Sequence, residues 1–292
     1  MKWPRDLGLK MRMWLTILLL GIVYLIFIGI LLALNFPTTV VLPLIFLMVF
    51  IQYFFSDRLV LWSTRAKVVT EEEYPELHAM VSELATEAGI PKPRVAIVHT
   101  PVPNAFATGR SPSHAVIAVT DSITRLLSKD ELKAVIAHEL SHVKNRDVLT
   151  MTIASFVSML AFMVMRYALF FGIGGDRREN APILVAWLVS IIVWIASMIL
   201  INALSRYREY AADRGSAIIT QQPRSLITAL QKISGRMDYV PPEKRQEVEG
   251  ANAFFIIPAL SGSTLMELFS THPPLEKRVA ALEQIEQDQP WI

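Results

Sequence analysis

Four long apolar blocks constrain the fold of this chain more than any other feature of the sequence. They comprise residues 13–34, 36–55, 149–173 and 182–204. Each block is about as long as a helix must be to cross roughly 30 Å of hydrocarbon. Because the connection around Asn35 is very short, the second block must return at once to the side from which the first came. The first two blocks therefore predict a transmembrane hairpin, and the last two predict a second one.

Two alternatives stay open for these blocks. The first block follows several basic residues and could be the apolar run of a cleaved signal peptide. It is longer than the usual run of about 7 to 15 residues, and another span follows it immediately, so a retained helix is favoured. The second pair could instead form buried or interfacial helices, because Arg166 lies in the third block. A guanidinium near the end of a span can reach the headgroups, so Arg166 remains compatible with a spanning helix.

The composition agrees with a membrane protein. Of the 292 residues, 53% are hydrophobic and only 18% are charged, and the mean hydropathy is +0.41. These values argue against an ordinary cytosolic enzyme. The formal net charge of +2 is too small to indicate a nucleic-acid partner. Since the chain has no cysteine, histidine and carboxylates are the only strong metal ligands left, and disulfides and thiolate nucleophiles are excluded.

The distribution of basic residues predicts the orientation in the membrane. The basic residues that flank the first hairpin are Lys2, Arg5, Lys10 and Arg12 before it and Arg58, Arg65 and Lys67 after it. By the positive-inside rule, both ends of this hairpin face the cytoplasm. Arg177 and Arg178, between the third and fourth blocks, are a mild exception.

This orientation predicts five parts along the chain. They are a cytoplasmic N-terminus (1–12), a first hairpin (13–55), a cytoplasmic part (56–148), a second hairpin (149–204) and a second cytoplasmic part (205–292). Because each hairpin returns the chain to the side it left, both long polar parts lie on the same side of the membrane. Residues far apart in sequence can therefore build one site.

The polar parts show local patterns of helices and strands. The spacing of apolar residues predicts an amphipathic helix over 70–88, and short runs rich in valine and isoleucine predict strands over 94–99 and 115–120. The stretch between these strands is prone to turns. Ser128 and Glu131 form a capping box that starts a helix reaching about Arg146. Helical patterns return over 226–233 and 275–285, with a charged loop over 236–250 and an apolar stretch over 253–260 between them.

The helix after the capping box carries the sequence His138-Glu139-Leu140-Ser141-His142. Two histidines at i and i+4 project from one helix face, so both imidazoles can bind the same Zn²⁺ at about 2.0 to 2.1 Å. Glu139 lies beside them and can take a proton from a water at the metal. The alternative is a chance match of three residues, but the capped helix directly before an apolar block favours a metal site.

A hydrolytic zinc site needs a third protein ligand, which the spacing alone does not identify. The candidates outside the motif are four histidines (His78, His99, His114 and His272) and two acids after the fourth block (Glu209 and Asp213). The two acids are i and i+4 on a helical continuation of that block, and the alternative for them is a solvated helix face.

Four motifs together resemble the HtpX family of bacterial membrane zinc proteases, which are relatives of the CAAX prenyl proteases. They are HELSH with Asn145 and Asp147 after it, RYREYAAD at 206–213, NAFATG at 104–109, and THPPL at 271–275 with Arg278. The motifs occur in the family's order, and the similarity covers nearly the whole chain. The resemblance implies a mostly α integral membrane protein with about four transmembrane helices and a cytoplasmic, zincin-like α+β protease domain that contains a small sheet.

The resemblance also implies roles for individual residues. His138, His142 and Glu209 match the ligands of one Zn²⁺ per chain, and Glu139 matches the catalytic base. Asp213 matches an acid that orients a liganding histidine.

Three further positions have weaker signals. Asn104 matches a position beside the substrate-binding edge strand, although Asn-Ala-Phe by itself indicates only a turn. His272 and Arg206 are candidates for stabilising the oxyanion or bracing the site. A histidine before two prolines is equally expected as a structural turn residue.

The resemblance implies a membrane-embedded endopeptidase that cuts misfolded or damaged membrane proteins at the cytoplasmic face of the bacterial inner membrane, in quality control and stress response. Its partners would be polypeptide substrates and the lipid bilayer, without nucleic acid. Two alternatives stay open: a prenyl-peptide protease, for which the chain has few spans to wall a chamber, and a membrane adaptor with structural zinc. The charged loop near 241–250 is a predicted site of self-cleavage.

Overall fold

The computed structural model describes residues 7–34, 38–171, 181–237, 239 and 270–288. Contacts divide the chain into two compact units. One unit comprises Asp6–Phe54 and Thr150–Ser205, and the other comprises Phe55–Leu149 and the chain from Arg206 onwards. The predicted loop over 236–250, the apolar stretch over 253–260 and the proposed self-cleavage site lie almost entirely outside the described residues.

The described chain is mostly helical. Its helices are α1 (Leu7–Ala33), α2 (Thr38–Ser63), α3 (Pro75–Ala88), α4 (Asp121–Leu126), α5 (Lys129–Asn145), α6 (Asp147–Phe171), α7 (Ala181–Thr220), α8 (Pro223–Met237) and α9 (Leu275–Asp288), with a short 3₁₀ turn at Pro112–His114. Its strands are β1 (Lys67–Val68), β2 (Arg94–Val98), β3 (Ala105–Thr108) and β4 (Val116–Thr120).

Among the described residues, three helices are long and apolar enough to cross a membrane. These segments are Leu7–Ala33, Asp147–Arg166 and Pro182–Thr220. The helix α2 is a fourth span if its two parts on either side of a bend, Ile45–Phe55 and Asp57–Ser63, count as one. The predicted mostly α membrane fold with about four spans is confirmed.

The helical unit has its own apolar core. Phe27 and Leu31 of α1, Ile45 of α2 and Leu160 of α6 are buried in one cluster, which α7 joins through Ala186. Other large apolar side chains of the same helices stay exposed, among them Leu25, Phe46 and Ile192. Exposure of such side chains to water costs about 25 cal/mol per Å² of apolar surface, so hydrocarbon is their favourable solvent.

The second unit is built on a four-stranded mixed sheet in the order β1-β2-β4-β3. The central strands β2 and β4 are parallel, and β1 and β3 pair antiparallel at the two outer positions. The sheet buries both faces, because successive side chains of a strand point to opposite sides. Val95 and Ile117 face a core that α3, α5 and α8 cover, whereas Ala96 and Ala118 face a smaller cluster with Val60.

Two local predictions need correction. The amphipathic helix begins at Pro75 and not at residue 70, because Thr70 and Glu73 form a turn in which the Thr70 N–H donates to the Glu73 carboxylate. The turn-prone stretch between the two predicted strands contains the outer strand β3. That strand is only four residues long and holds two alanines, so its residues show no apolar alternation from which a strand could be predicted.

Local capping residues set both ends of the helix α5. Ser128 and Glu131 form the predicted capping box, and Arg146 ends the helix in the left-handed conformation with a φ of 56°. The next helix, α6, starts directly at Asp147. The C-terminal part of α7 is attached to α5 by the Ser216 hydroxyl, which donates to the Ala134 carbonyl at 2.7 Å.

Candidate metal centre and active site

The site is centred on three side chains whose donor atoms lie within 4.8 Å of one another: His138, His142 and Glu209. The two imidazole Nε2 atoms are 3.2 Å apart. The Glu209 carboxylate lies 3.6 Å from His138 Nε2 and 3.4 Å from His142 Nε2. Donor atoms that share a tetrahedral Zn²⁺ at about 2.0 to 2.1 Å are separated by about 3.3 Å. The three donors therefore fit a single zinc ion.

Two helices supply these donors. α5 carries both histidines one turn apart, and their rings lie 4.8 Å from each other, nearly perpendicular. α7 carries Glu209 on the helical continuation of the fourth apolar block, as the sequence predicts. His138 and Glu209 are buried, and the more accessible His142 side chain is 15% exposed.

Three of the other candidate ligands lie elsewhere in the described structure. His78 contacts the Val69 carbonyl through Nε2 at 3.1 Å, and His99 lies on the surface near Asp121. His114 contacts the side chain of Ser111 in an exposed turn. Tertiary structure thus groups Glu209, and none of these three histidines, with the HELSH motif.

Asp213 lies behind His138. Its Oδ1 is 3.0 Å from His138 Nδ1, on the ring side opposite Glu209. Arg278, whose side chain is buried, holds this carboxylate with two hydrogen bonds, from Nη2 at 2.6 Å and from Nε at 2.9 Å. The sequence indicates Arg278 only as part of a motif, since its contact with Asp213 joins α9 to α7.

Asp147 lies behind His142 in the same way. His142 Nδ1 and Asp147 Oδ2 are hydrogen-bonded at 2.5 Å, and Arg208 Nε lies 3.0 Å from Asp147 Oδ1. Asp147 and Arg208 both lie in motifs of the sequence, but no role follows from their positions there. No helical periodicity connects Asp147 to His142, because the left-handed residue Arg146 lies between their helices.

Glu139 contacts the sheet. Its Oε2 accepts a hydrogen bond of 2.9 Å from the backbone N–H of Ala107 in β3. Burial raises the pKa of the Glu139 carboxyl, and the neighbouring histidines only partly offset this effect. Glu139 is therefore a buried acid beside an outer strand, with an affinity for protons above that of an ordinary glutamate.

The carboxylates around the two histidines control their protonation when no metal is bound. Burial lowers the pKa of both rings, but nearby carboxylates outweigh it. Asp213 and Glu209 raise the pKa of His138, and Asp147 and Glu209 raise the pKa of His142 to about 10. A cation at this position thus replaces protons that the site otherwise retains.

The three further candidates of the sequence analysis, His272, Arg206 and Asn104, make separate contacts. His272 is buried, and its Nδ1 lies 3.2 Å from Glu209 Oε2. Arg206 donates from Nη1 to the Ser270 carbonyl at 2.8 Å, and Ser270 is hydrogen-bonded to the backbone of His272. Asn104 is buried directly before β3, with its backbone N–H donating to Thr120 Oγ1 at 2.9 Å.

Comparison with known proteins identifies the family of the chain. The model of peptidase family M48 matches residues 71–286. Protease HtpX homolog 2 of Methanosarcina acetivorans is 58% identical over 289 residues, covering 98% of each chain. A protease HtpX homolog of Moorella thermoacetica is 51% identical over 287 residues, covering 97% of this chain and 96% of the relative.

A solved structure shares the fold. The crystal structure of S. mikatae Ste24p aligns with a TM-score of 0.58 at 19% sequence identity, covering 94% of this chain and 67% of that one. The predicted resemblance is thus confirmed, and a metal is implied by the family and by the buried His-His-Glu group. The chain belongs to peptidase family M48, in its HtpX group, and it is a multi-pass membrane metalloprotease.

Proposed function

We propose that this chain is a zinc-dependent endopeptidase that cuts misfolded or damaged membrane proteins at the cytoplasmic face of the cytoplasmic (inner) membrane, as part of membrane-protein quality control and the stress response. The observation that carries the proposal is the buried His138-His142-Glu209 group with Glu139 beside it. In this proposal, residues 13–55 and 149–204 form the two membrane hairpins, and the polar parts 56–148 and 205–292 build the protease domain.

His138, His142 and Glu209 would hold the zinc ion, since two imidazole nitrogens and one carboxylate are a common ligand set for catalytic zinc. When bound, the ion would supply Lewis acidity, which polarises a peptide carbonyl and acidifies water. The buried Asp213 would orient His138 and keep its Nε2 available as a donor.

Glu139 would move the proton. Its Oε2 is occupied by the Ala107 N–H, so Oε1 is the oxygen that would take a proton from the attacking water and return it to the leaving amine. The raised pKa of Glu139 supports this role, because the carboxyl must hold the proton between the two steps. No covalent intermediate with the protein is required.

The outer strand β3 would hold the substrate backbone. The Asn104 carbonyl oxygen accepts a hydrogen bond from the Thr120 N–H of β4. In an antiparallel pair, only every second residue directs its backbone N–H and C=O towards the partner strand. The backbone groups of Ala105 and Ala107 therefore point away from β4. An extended peptide can add to such an edge as a further strand. It would pair with Ala105 and with the Ala107 carbonyl, because the Ala107 N–H already donates to Glu139. The Asn104 amide is the proposed additional contact to the peptide.

His272 and Arg206 would assist at the transition state. His272 Nε2 makes no hydrogen bond within the described part of the chain although it is buried. With a proton on Nε2, the ring would donate to a developing oxyanion. Arg206 would act indirectly, by holding the segment that carries His272 through the Ser270 carbonyl.

The test compares the wild type with Glu139→Gln, both purified in detergent. Zinc content is measured by mass spectrometry, and cleavage is measured with an unfolded membrane protein, an unmodified peptide and a prenylated peptide. We expect one zinc per chain in both proteins and a loss of cleavage of about 10²- to 10⁴-fold in the variant.

Equal cleavage by a zinc-loaded Glu139→Gln variant would overturn the mechanism and favour a metal-bound adaptor. Cleavage confined to the prenylated peptide would replace the proposed substrate class with prenyl-peptides. A wild type without zinc would contradict the assignment of the ligands.

A further inference from the structure

We propose that Asp147 is a positioning residue for His142, and that Arg208 holds Asp147 in the orientation this requires. The inference rests on the proposed zinc site, to which it adds a second carboxylate–histidine pair. It concerns a residue outside the HELSH helix, at the start of the following helix α6.

The chain path between the two helices creates the contact. On an uninterrupted helix, a residue five positions after His142 would point about 140° away from it around the axis. Here Arg146 adopts a φ of 56°, and α6 starts at the next residue. This change of direction returns the Asp147 carboxylate to the His142 ring, where the hydrogen bond forms.

The contact selects one tautomer of His142. When Nδ1 carries the proton and donates it to Asp147, Nε2 has a free lone pair. Nε2 is the atom that faces His138 and Glu209. Asp147 therefore keeps the correct nitrogen available to a metal and fixes the plane of the ring.

Arg208 restricts Asp147 in turn. The Asp147 side chain is buried, and its other oxygen lies 3.0 Å from Arg208 Nε. A buried carboxylate without a neighbouring cation is costly. The ion pair with Arg208 therefore also compensates the negative charge of Asp147, the hydrogen-bond partner of His142. Arg208 directly precedes Glu209 on α7. The ion pair of Asp147 with Arg208 therefore connects the partner of the proposed ligand His142 to the residue beside the proposed ligand Glu209.

The arrangement repeats the one at the other histidine. Asp213 lies at His138 Nδ1 and is held by Arg278, just as Asp147 lies at His142 Nδ1 beside Arg208. The His142 side chain is more accessible than that of His138, 15% against 1%, so it has the greater need of an orienting partner.

The experiment measures the zinc dissociation constant of the full-length protein in detergent by competition with a chromophoric chelator, using zinc sulfate. The variants are Asp147→Asn, Asp147→Glu and Arg208→Gln. Glu131→Gln is the matched control, because Glu131 is another buried acid of the same region, paired with Lys232 at 2.7 Å. Thermal unfolding of each metal-free variant reports its stability separately.

We expect Asp147→Asn to weaken zinc binding by about 10- to 100-fold, as loss of an outer hydrogen-bond partner does in other metal sites. Asp147→Glu should recover part of this loss, and Arg208→Gln should weaken binding less than Asp147→Asn. Combined with Asp147→Asn, Arg208→Gln should add nothing further. The visible absorption of bound Co²⁺ should shift in Asp147→Asn and stay unchanged in Glu131→Gln.

Zinc affinity within twofold of the wild type in Asp147→Asn would overturn the inference, whatever its thermal stability. If Asp147→Asn does not fold, unchanged zinc affinity in Arg208→Gln would overturn it instead. These outcomes leave the proposed function intact, because the wild type still binds zinc. A wild type that binds no zinc would overturn the proposed metal site and this inference together.

Discussion

Glu139 shows at the residue scale how the site combines burial with charge. The Glu139 carboxyl is buried away from water, and a hydrogen bond from one backbone N–H only partly replaces its hydration. An ionised carboxylate is disfavoured in such a place, which raises its pKa. The same burial that suits Glu139 to the proposed proton transfer therefore lowers the stability of the fold.

We predict that Glu139→Gln stabilises the metal-free protein. The folded-state pKa of Glu139 lies above the unfolded value, so the folded protein loses stability as pH rises from the unfolded pKa through the folded one. Gln stays neutral and its carbonyl can still accept from Ala107 N–H. Thermal unfolding with a chelator should give a higher Tm for the variant at neutral pH and a smaller difference near pH 4. A lower Tm at neutral pH would contradict the prediction.

His272 gives a prediction about catalysis. We expect His272→Ala to lower kcat by about 10²-fold, since it removes the proposed donor to the developing oxyanion. KM should change little, and zinc should remain bound. His99→Ala, a substitution of an exposed histidine, is the control and should leave all three values unchanged. If kcat is unaffected while only Tm falls, His272 is a structural turn residue.

At the scale of elements, the sheet and α5 together determine what lies beside Glu139. The central strands β2 and β4 follow from their runs of valine and isoleucine, and the capping box predicts the first turn of α5. The outer strand β3 follows from no local pattern, because its pairing with β4 requires a return of the chain through the turn at Gly109.

A substitution at Gly109 tests whether the position of β3 depends on this turn. Its φ is +120°, and a Cβ there would meet the His114 carbonyl oxygen at 2.4 Å. We predict that Gly109→Ala lowers Tm and also lowers cleavage, because β3 must shift to relieve the contact. Gly89→Ala is the matched control: Gly89 has a φ of +68° with no neighbour within 4 Å of a Cβ.

Gly89→Ala should lower the free energy of unfolding by only about 1 to 2 kcal/mol, because alanine is disfavoured in the left-handed conformation, and it should leave cleavage unchanged. Thermal unfolding and peptide cleavage of both variants provide the comparison. Equal losses of Tm in both variants, with cleavage retained, would show that the space beside Gly109 does not limit β3.

At the scale of the whole molecule, the site-bearing unit is assembled from two distant parts of the chain. Phe55–Leu149 contributes the sheet and α5, and the chain from Arg206 contributes Glu209, His272 and Arg278. A metal that joins α5 to α7 closes a long loop of chain. It should therefore stabilise the folded protein more than any single hydrogen bond of the site.

We predict that zinc raises Tm and that this increase grows with pH. In the metal-free protein, His142 has a pKa of about 10, above the unfolded value, so its protonated form contributes stability that is lost as pH rises through about 10. Zinc needs the neutral ring and displaces that proton, so its affinity increases over the same range. Thermal unfolding with and without zinc at pH 6, 7 and 8 measures the effect. A zinc-induced shift that declines with pH would contradict it.

The sequence by itself determined what depends on neighbouring residues. The lengths of the apolar blocks, the capping box, the helical spacing of His138 and His142, and the i and i+4 relation of Glu209 and Asp213 are all properties of short segments. Tertiary structure decided which of these side chains meet, and it alone brought Asp147 to His142, Arg278 to Asp213 and β3 to Glu139. The physical reason is that such contacts depend on chain reversals and on packing between distant elements, to which no repeating pattern in the sequence corresponds.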